Sequence, residues 1–328
     1  CGIALLKLKK PLDYYLKKYD TALYGLNKMY LLMEKQHNRG QDGAGLANIK
    51  FDVDPGTRYI SRYRSVKNQP IKDIFSYIHN RFEILHKNSP EKLKDISYLK
   101  SNEAFTGELF LGHLRYGTFG KNKKENCHPF LRQNNWMTRN LVLAGNFNLT
   151  NVDELFNILV NIGQHPKEVS DTVTILEKIG HFLDQENTRI FRQQIEKKVA
   201  NKEISNHIAK NLNIENILKN ASVDWDGGYT MAGLFGHGDS FVLRDPNGIR
   251  PAFWYEDDEV FVVTSERPVI QTTFNVKWEK INELKPGSAL IIKKNNSFKE
   301  VEINFPKDFL SFEYFRANSY APDDIPRA

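Results

Sequence analysis

The chain opens with CGIALLKLKK, in which apolar side chains are concentrated before the lysines take over. A short apolar run of this kind predicts a buried β-strand over residues 2–7. From Pro11 onwards, apolar residues recur every three or four positions, and this spacing predicts one long helix that continues to about His37. Its apolar face comprises Leu16, Tyr19, Leu23, Leu26, Tyr30 and Met33. The glycines of NRGQDGAG are expected to end the helix.

The rest of the chain divides into β-rich and helical regions. Strands are predicted at GAGLANIK, RYISRYRS, LFLGHLRYG and RNLVLAGNFNL. Charged amphipathic helices are predicted at IKDIFSYIHNRFEILHK and PEKLKDISYLK, and three more across residues 152–220. The C-terminal third returns to strands at TMAGLFGH, SFVLRD, EVFVVTS, SALIIKK and KEVEINF, with DPNG as a tight turn. Because strands and helices do not alternate as βαβ units, this order favours antiparallel sheets covered by helices over a doubly wound parallel sheet.

Composition excludes several classes of protein. Hydrophobic residues make up 40% of the 328 residues and charged residues 26%, which is typical of a globular protein. No stretch approaches the ~20 apolar residues of a membrane span, and no signal-peptide pattern precedes Cys1. The net charge of +6 arises from scattered lysines, so no nucleic-acid partner is expected. With two cysteines, Cys1 and Cys127, the chain lacks a disulfide framework, and a reducing cytoplasmic location and no metal centre are expected.

Cys1 is the first candidate for chemistry, because the first residue of a chain carries two reactive groups. Its thiol is a nucleophile only as the thiolate, with an ordinary pKa of about 8.5. The free α-amine of the same residue, with a pKa of about 7.7–8.0, can take the thiol proton directly or through one water. The alternative interpretation is an arbitrary chain end with an inert thiol.

Four further segments hold candidate residues, and each also has a plain structural explanation. Arg39 lies in HNRGQDGAG, where the glycines also suit a helix end and turn. Arg115, in GHLRYGTFG, either is a surface arginine or pairs with a small carboxylate. Asn146, in LAGNFNLTN, either caps a turn or donates its amide to an oxyanion. Asp171 follows Ser170 at a predicted helix start, where it either belongs to an N-cap or holds an ammonium group.

Together these groups suit one substrate. Glutamine has an α-carboxylate, an α-ammonium group and a side-chain amide whose carbon must be attacked. A thiolate, an amide donor, an arginine and an aspartate match these needs, and the sequence therefore points to glutamine hydrolysis.

The ordered motifs resemble the class II glutamine amidotransferases, and within them the glutaminase half of amidophosphoribosyltransferase. The stretches that carry the resemblance are CGIA, MEKQHNRGQDGAG, GHLRYGTFG, GNFNLTN with a downstream SDT, and FVLRDPNGIRP…VVTSERPVI…INELKPGSAL. The resemblance implies an α+β fold, the four-layer αββα sandwich of the N-terminal nucleophile hydrolases. It also implies a class II glutamine amidotransferase domain over residues 1–305, helical insertions near 66–105 and 180–222, and a tail or linker over 306–328.

The resemblance also implies roles for individual residues. Cys1 would form a thioester with the γ-carbonyl of L-glutamine and release ammonia, and Arg39 would help to order the site. Asn146 and the backbone N–H of Phe147 would bind the oxyanion. The substrate itself would be held by Arg115 at its α-carboxylate, by Asp171 at its α-ammonium group and by Thr118 in a mobile loop.

Two departures from the family pattern bear on function. Phe147 stands where the family usually has glycine, and its Cβ would be penalised if that glycine used positive φ. The phosphate-binding signature of the phosphoribosyltransferase half is missing, so no such domain is expected in this chain. Its expected partner is an ammonia-accepting phosphoribosyltransferase domain or subunit, which would also carry the Mg²⁺; this chain is expected to need no cofactor.

The sequence leaves other functions open. In one, Phe147 blocks the chemistry and the chain is a weakly catalytic glutamine-binding or scaffold domain. In another, the ammonia serves aminosugar or asparagine synthesis, although RDPNGIRP argues for the amidophosphoribosyltransferase branch. A homo-oligomer is also left open. Cys127 and His128 are interpreted as a free thiol beside a loop histidine, and His113 as a core histidine that orients its strand.

Overall fold

The structure, a computed structural model, describes residues 1–117 and 124–304. The strands are β1 (Gly2–Leu8), β2 (Gly43–Ile49), β3 (Ile60–Ser65), β4 (Leu109–Arg115), β5 (Phe130–Arg132), β6 (Leu141–Leu149), β7 (Gly227–Phe235), β8 (Ser240–Arg244), β9 (Phe253–Glu256), β10 (Val260–Thr264), β11 (Asn282–Glu283), β12 (Ser288–Ile292) and β13 (Phe298–Glu302). The helices are α1 (Leu12–Tyr19), α2 (Tyr24–Glu34), α3 (Pro70–Asn88), α4 (Ile96–Asn102), α5 (Val152–Asn161), α6 (Asp171–Glu196), α7 (Asn201–Asn211), α8 (Ile214–Ser222) and α9 (Arg267–Phe274).

The strands form two antiparallel sheets. The first has the order β11-β9-β10-β1-β4-β2-β3, and the second has the order β13-β12-β8-β7-β6-β5. In the first sheet β1 pairs with β4 so that Gly2 lies opposite Leu114. In the second, β6 pairs with β7 so that Asn146 lies opposite Thr230. These two pairings set the positions of the candidate site residues.

Three apolar clusters show how the layers stack. One joins α1, α2, α3 and α9 to the outer face of the first sheet, where β1 contributes Ala4 and Leu6. The second fills the space between the sheets, where β1 contributes the alternate residues Ile3 and Leu5. The third joins α5–α8 to the outer face of the second sheet. The predicted α+β fold, with two sheets between helical layers, is therefore confirmed.

The single long helix predicted from Pro11 to His37 was wrong. Asp20 adopts the left-handed conformation, with φ of 53°, and ends α1, and α2 begins only at Tyr24. The break changes which side faces the sheet, because it interrupts the 3.6-residue period. Two members of the predicted apolar face, Tyr19 and Tyr30, are consequently 39% and 37% exposed. Residues 152–220 likewise hold four helices rather than three.

The predicted domain boundaries stay a prediction. Helices occupy both segments interpreted as insertions, with α3 and α4 in the first and parts of α6–α8 in the second. The predicted tail, residues 306–328, lies outside the described residues. Among the residues that the structure describes, no helix combines the length and the apolar character needed to cross a bilayer.

A buried polar cluster ties the β7–β8 turn to the segment that follows β12 in the second sheet. Asp239, 2% exposed in the β7–β8 turn, accepts from the backbone N–H of Lys294 at 2.7 Å, and the imidazole of His237 lies 3.0 Å from its other oxygen. The ammonium group of Lys293 also pairs with this carboxylate. Burial would raise the pKa of Asp239, but His237 and Lys293 outweigh burial and hold the pKa at about 2.

We expect Asp239→Asn to lower the free energy of unfolding by about 2 kcal/mol at neutral pH, because hydrogen bonds to a buried charge are lost. The folded pKa lies below the ordinary value, so this stability is present above about pH 4 and is lost as pH falls towards 2. Denaturant titrations at several pH values measure both effects. Asp258→Asn, at an exposed turn position, is the control and should change little. A difference between wild type and Asp239→Asn that persists undiminished at pH 2 would contradict this assignment.

Candidate active site

The alternation of side chains along paired strands brings the candidate residues together. Side chains that fill the space between the sheets include Ile3 and Leu5 of β1, Leu109 and Leu111 of β4, and Val142 and Ala144 of β6. Every second side chain of a strand points to the same face of the sheet. The same alternation therefore directs four further side chains into this space: Cys1 just before β1, His113 and Arg115 at the end of β4, and Asn146 on β6. The space between the sheets therefore changes from apolar to polar at one end. His113 shows that these strand ends meet, because its Nε2 lies 2.9 Å from the carbonyl oxygen of Gly145 on the other sheet.

Cys1 lies beside the end of β4. The backbone N–H of Tyr116 donates to the Cys1 sulfur at 3.4 Å. The Cys1 thiol in turn donates to the carbonyl oxygen of Tyr116 at 3.9 Å. The next residue, Gly2, packs so closely that an added Cβ would lie 3.0 Å from the Cβ of Arg39.

The start of β1 is held by side chains from two other segments. The backbone N–H of Ile3 donates to Ser265 Oγ at 3.0 Å, and Gln36 donates to the Ile3 carbonyl oxygen at 3.1 Å. Arg39 donates from Nε to Glu266 at 2.6 Å, which ties the two segments to each other. These contacts fix the direction in which Cys1 leaves the sheet.

Arg115 is buried, with 7% of its surface exposed, and its backbone is fixed by the turn that follows α2. The backbone N–H of Asp42 donates to its carbonyl oxygen at 3.1 Å, and the Asp42 carboxylate accepts from the N–H of Gly117 at 2.7 Å. Gly40 packs directly on the Arg115 backbone, where an added Cβ would lie 2.5 Å from the carbonyl carbon. The glycines of HNRGQDGAG thus allow the turn to approach the end of β4 closely.

The hydrogen-bond pattern of β6 determines where the Phe147 N–H points. In an antiparallel pair, the N–H and C=O of one residue point to the same side, and successive residues alternate. Phe147 lies opposite Tyr229, which directs both its N–H and its C=O away from β6, towards Asp245. Phe147 and Tyr229 therefore do not bond to each other, and the Phe147 N–H points away from β7.

On this edge of β6, the neighbouring backbone N–H groups are already in use. The N–H of Gly145 donates to His128 Nδ1 at 3.1 Å, and that of Leu149 donates to Asp171 Oδ2 at 3.2 Å. Between them, the Phe147 N–H donates to none of the described residues. Phe147 is also absent from the described residues with positive φ, so its Cβ carries no penalty. Phenylalanine in place of the family's glycine therefore causes no backbone strain at residue 147.

Asp171 is the first residue of α6 and faces the end of β6. Ser170 caps the helix by accepting from the N–H of Val173 at 3.3 Å, as the N-cap interpretation of this segment predicted. Burial raises the pKa of the Asp171 carboxyl, and the hydrogen bond from Leu149 only partly opposes this. A carboxylate accepts up to about four hydrogen bonds, so Asp171 retains capacity for a substrate cation.

The remaining sequence predictions have mixed outcomes. Thr118 lies outside the described residues. Cys127 is a free, buried thiol as predicted, and burial raises its pKa. His113 is buried in the core as predicted, and His128 lies in a loop as predicted, where it is also buried. Within residues 1–117 and 124–304, no cluster of three or more histidine, cysteine or acidic side chains could hold a metal ion.

A sequence model of the family described as glutamine amidotransferases class-II matches residues 76–223. Residues 76–223 therefore match a class II glutamine amidotransferase domain. The matched range includes Arg115, Asn146, Phe147 and Asp171, whereas Cys1 and Arg39 precede it.

Known amidophosphoribosyltransferases are distant relatives of this class II domain. The protein of Archaeoglobus fulgidus is 30% identical over 193 residues, which cover 58% of this chain and 35% of that protein. The protein of Schizosaccharomyces pombe is 26% identical over 301 residues, which cover 90% of this chain and 45% of that protein. The chain thus spans less than half the length of these relatives.

A solved structure shows the same fold. Glutamine phosphoribosylpyrophosphate amidotransferase from Bacillus subtilis, complexed with ADP and GMP, superposes with a TM-score of 0.58 at 21% identity. The match covers 93% of this chain and 50% of that chain. The class II glutamine amidotransferase fold, of the N-terminal nucleophile type, is therefore confirmed.

Sequence reasoning gave no role to four residues of this region, although each lies in a motif that it quoted. Gln36, Ser265 and Glu266 hold the segments beside the start of β1, and Thr172 contacts His128. A local pattern could not reveal them, because their partners lie more than 30 residues away along the chain.

We expect Gly40→Ala to lower the free energy of unfolding by about 2–3 kcal/mol, because the added Cβ would press into the Arg115 backbone. Gly40 has a φ of 176°, which any residue adopts, so the cost is purely steric. Gly56→Ala is the converse control: its φ of 93° is strained for alanine, but nothing lies within 4 Å. We expect about 1 kcal/mol there. Equal losses in the two variants, measured by denaturant unfolding, would contradict a close approach at Gly40.

Proposed function

We propose that this domain hydrolyses L-glutamine to L-glutamate and ammonia, with Cys1 as the nucleophile. The observation that carries the proposal is the alternation that directs Cys1, Arg115 and Asn146 into one polar region between the sheets, with the Phe147 N–H at the adjoining sheet edge. The family match and the N–H that donates to the Cys1 sulfur support it.

The reaction proceeds in two steps. In the first, the Cys1 α-amine takes the thiol proton, and the sulfur attacks the γ-carboxamide carbon. The carbon–nitrogen bond breaks, and the proton passes to the departing amide nitrogen, which leaves as ammonia. In the second step, water attacks the thioester carbon and gives one proton back to the sulfur through the amine. Glutamate is released, and the thiol is restored.

Asn146 and the backbone N–H of Phe147 stabilise the oxyanion that forms in each step. The hydrogen bonds of the described residues leave the Asn146 side-chain amide and this N–H without an acceptor, which suits donors reserved for a transition state. Each donor of this kind contributes about 10²–10³-fold to rate.

Arg115 and Asp171 bind the two ends of glutamine that do not react. The Arg115 guanidinium takes the α-carboxylate, and Asp171 takes the α-ammonium group. Burial raises the pKa of the Asp171 carboxyl and so disfavours its charged form. A bound ammonium group opposes this effect, because a nearby positive charge favours the ionised carboxylate. Arg39 packs against Gly2 and thereby keeps the start of β1 in place. Thr118, which lies outside the described residues, is assigned to glutamine binding only from the family resemblance.

The ammonia is passed to a phosphoribosyltransferase domain or subunit, which makes phosphoribosylamine for purine synthesis. The names of the relatives compared above support this acceptor over aminosugar or asparagine synthesis. In that arrangement the Mg²⁺ belongs to the acceptor, and this domain works without a cofactor.

We expect Cys1→Ala to abolish glutamate release from L-glutamine, because the nucleophilic sulfur is removed. The measurement is glutamate and ammonia production by the purified chain, after its intact mass has established Cys1 as the first residue. Cys127→Ala is the matched control, since this buried thiol packs against backbone carbonyl oxygens of Ala44 and Ser65 rather than the site. Equal rates for wild type and Cys1→Ala would remove the proposal.

A second candidate function is glutamine binding without turnover, and the observation that favours it is the Phe147 ring. This ring covers Gly145, where an added Cβ would lie 2.5 Å from Phe147 Cδ1, and it packs 5.5 Å from the His128 ring. However, the Phe147 side chain belongs to the cluster beneath α5–α8. This placement favours turnover, since the ring faces away from the space between the sheets.

We therefore expect Phe147→Gly to lower stability by about 3 kcal/mol without raising kcat, because the variant keeps the backbone N–H and loses only packing. Phe130→Gly is the matched control, since this ring packs on the same cluster from β5. The measurements are denaturant unfolding and glutamate release. A rise in kcat of about 100-fold in Phe147→Gly alone would instead favour the binding-only function.

A further inference from the structure

Two buried histidines hold a single residue of β6, Gly145, by its backbone N–H and its backbone C=O. His113 is 1% exposed and its Nε2 lies 2.9 Å from the carbonyl oxygen of Gly145. His128 is 8% exposed and its Nδ1 accepts from the N–H of Gly145 at 3.1 Å. The two rings stack with their centroids 4.2 Å apart. Gly145 directly precedes Asn146, so this clamp acts on the segment that carries both proposed oxyanion donors.

The partners of each ring fix its tautomer. A carbonyl oxygen can only accept, so His113 carries its proton on Nε2. A backbone N–H can only donate, so His128 Nδ1 is unprotonated and its proton lies on Nε2. That proton is donated to the hydroxyl of Thr172, 3.0 Å away on α6. Protonation of His128 at Nδ1 would remove its bond to Gly145.

The His128 ring thereby connects the two elements of the proposed glutamine site. On one side it bonds to Gly145, next to Asn146, and on the other it bonds to Thr172, next to Asp171. Asp171 is also tied to the same strand edge through the N–H of Leu149. The distance between the oxyanion donors and the carboxylate for the substrate ammonium therefore depends on this ring.

We propose that His113 and His128 are positioning residues, and that the hydrogen bond from His128 to Thr172 sets the oxyanion segment of β6 against Asp171 at the distance glutamine requires. This inference rests on the proposed glutaminase function and adds to it the residues that fix its geometry. Each ring acts through the backbone of Gly145, one through its C=O and the other through its N–H.

The surrounding charges keep both rings neutral, as the clamp requires. Burial, together with Arg115 of β4, Arg64 of β3 and the α-ammonium group at the chain start, lowers the pKa of His128 to about 3. Burial also lowers the pKa of His113, with contributions from His128, the α-ammonium group and Arg115, against the hydrogen bond to Gly145. The bonds to Gly145 therefore persist across the physiological pH range.

The kinetic test removes only the hydroxyl that accepts from His128. We expect Thr172→Val to lower kcat for glutamine about 10- to 100-fold and to raise KM, because small displacements of catalytic groups have effects of this size. Thr172→Ser keeps the acceptor and should stay within about threefold of wild type. Thr174→Val is the matched control: it lies on the same helix, is buried, and its hydroxyl has no partner among the described residues. A Thr172→Val enzyme with the kcat and KM of Thr174→Val would overturn the proposal.

A second measurement does not depend on turnover, and it separates failure of this inference from failure of the glutaminase function. NMR of isotope-labelled histidine should show His128 neutral, with its proton on Nε2, from about pH 5 to pH 8. In Thr172→Val, the His128 Nε2 resonance should shift because its hydrogen-bond acceptor is lost, and the Phe147 amide resonance should move, while Thr174→Val leaves both unchanged. A wild-type His128 that is charged at pH 6, or a Phe147 resonance indifferent to Thr172→Val, would overturn the proposal even if glutamine is hydrolysed. The expected shifts would support it even if no glutamate is released.

Discussion

Antiparallel pairing imposes a period of two on every strand, and the rest of the site depends on this constraint. The same alternation that buries Ile3 and Leu5 between the sheets carries Cys1 onto that face two residues earlier. A register shift of one residue in β1 or β6 would turn the candidate side chains outwards. The apolar space between the sheets thus stabilises the fold and aims the chemistry at the same time.

The second consequence of pairing concerns backbone groups rather than side chains. Beyond the end of β5, the edge of β6 has N–H groups at Gly145, Phe147 and Leu149 that no strand covers. Unpaired N–H groups at an edge are costly if buried, and side chains of His128 and Asp171 satisfy the outer two. The Phe147 N–H between them has no acceptor among the described residues, as its proposed role in binding an oxyanion requires. A phenylalanine can therefore stand at this position, because only its backbone is needed there.

Much of this domain could be predicted from its sequence. Periodicity located most strands and the main helices, and the ordered motifs identified the family, the four-layer fold and the candidate residues. Prediction failed where the chain breaks a pattern without a strong local signal, as at Asp20, whose left-handed conformation divides the first helix. The loop position of His128 was predicted, but its burial and its contacts were not, since nothing in the local sequence distinguishes an exposed loop histidine from a buried one.

The sequence by itself determined which residues alternate, where polar residues end the apolar runs, and which family the motifs resemble. These are local properties, because side-chain direction in a strand follows from the backbone geometry of neighbouring residues. Only the tertiary structure decided that the Phe147 N–H has no strand partner, that two histidines clamp Gly145, and that Thr172 joins α6 to them. Each of these depends on hydrogen bonds between residues far apart in the chain, and such bonds are fixed only when register and sheet packing are both set.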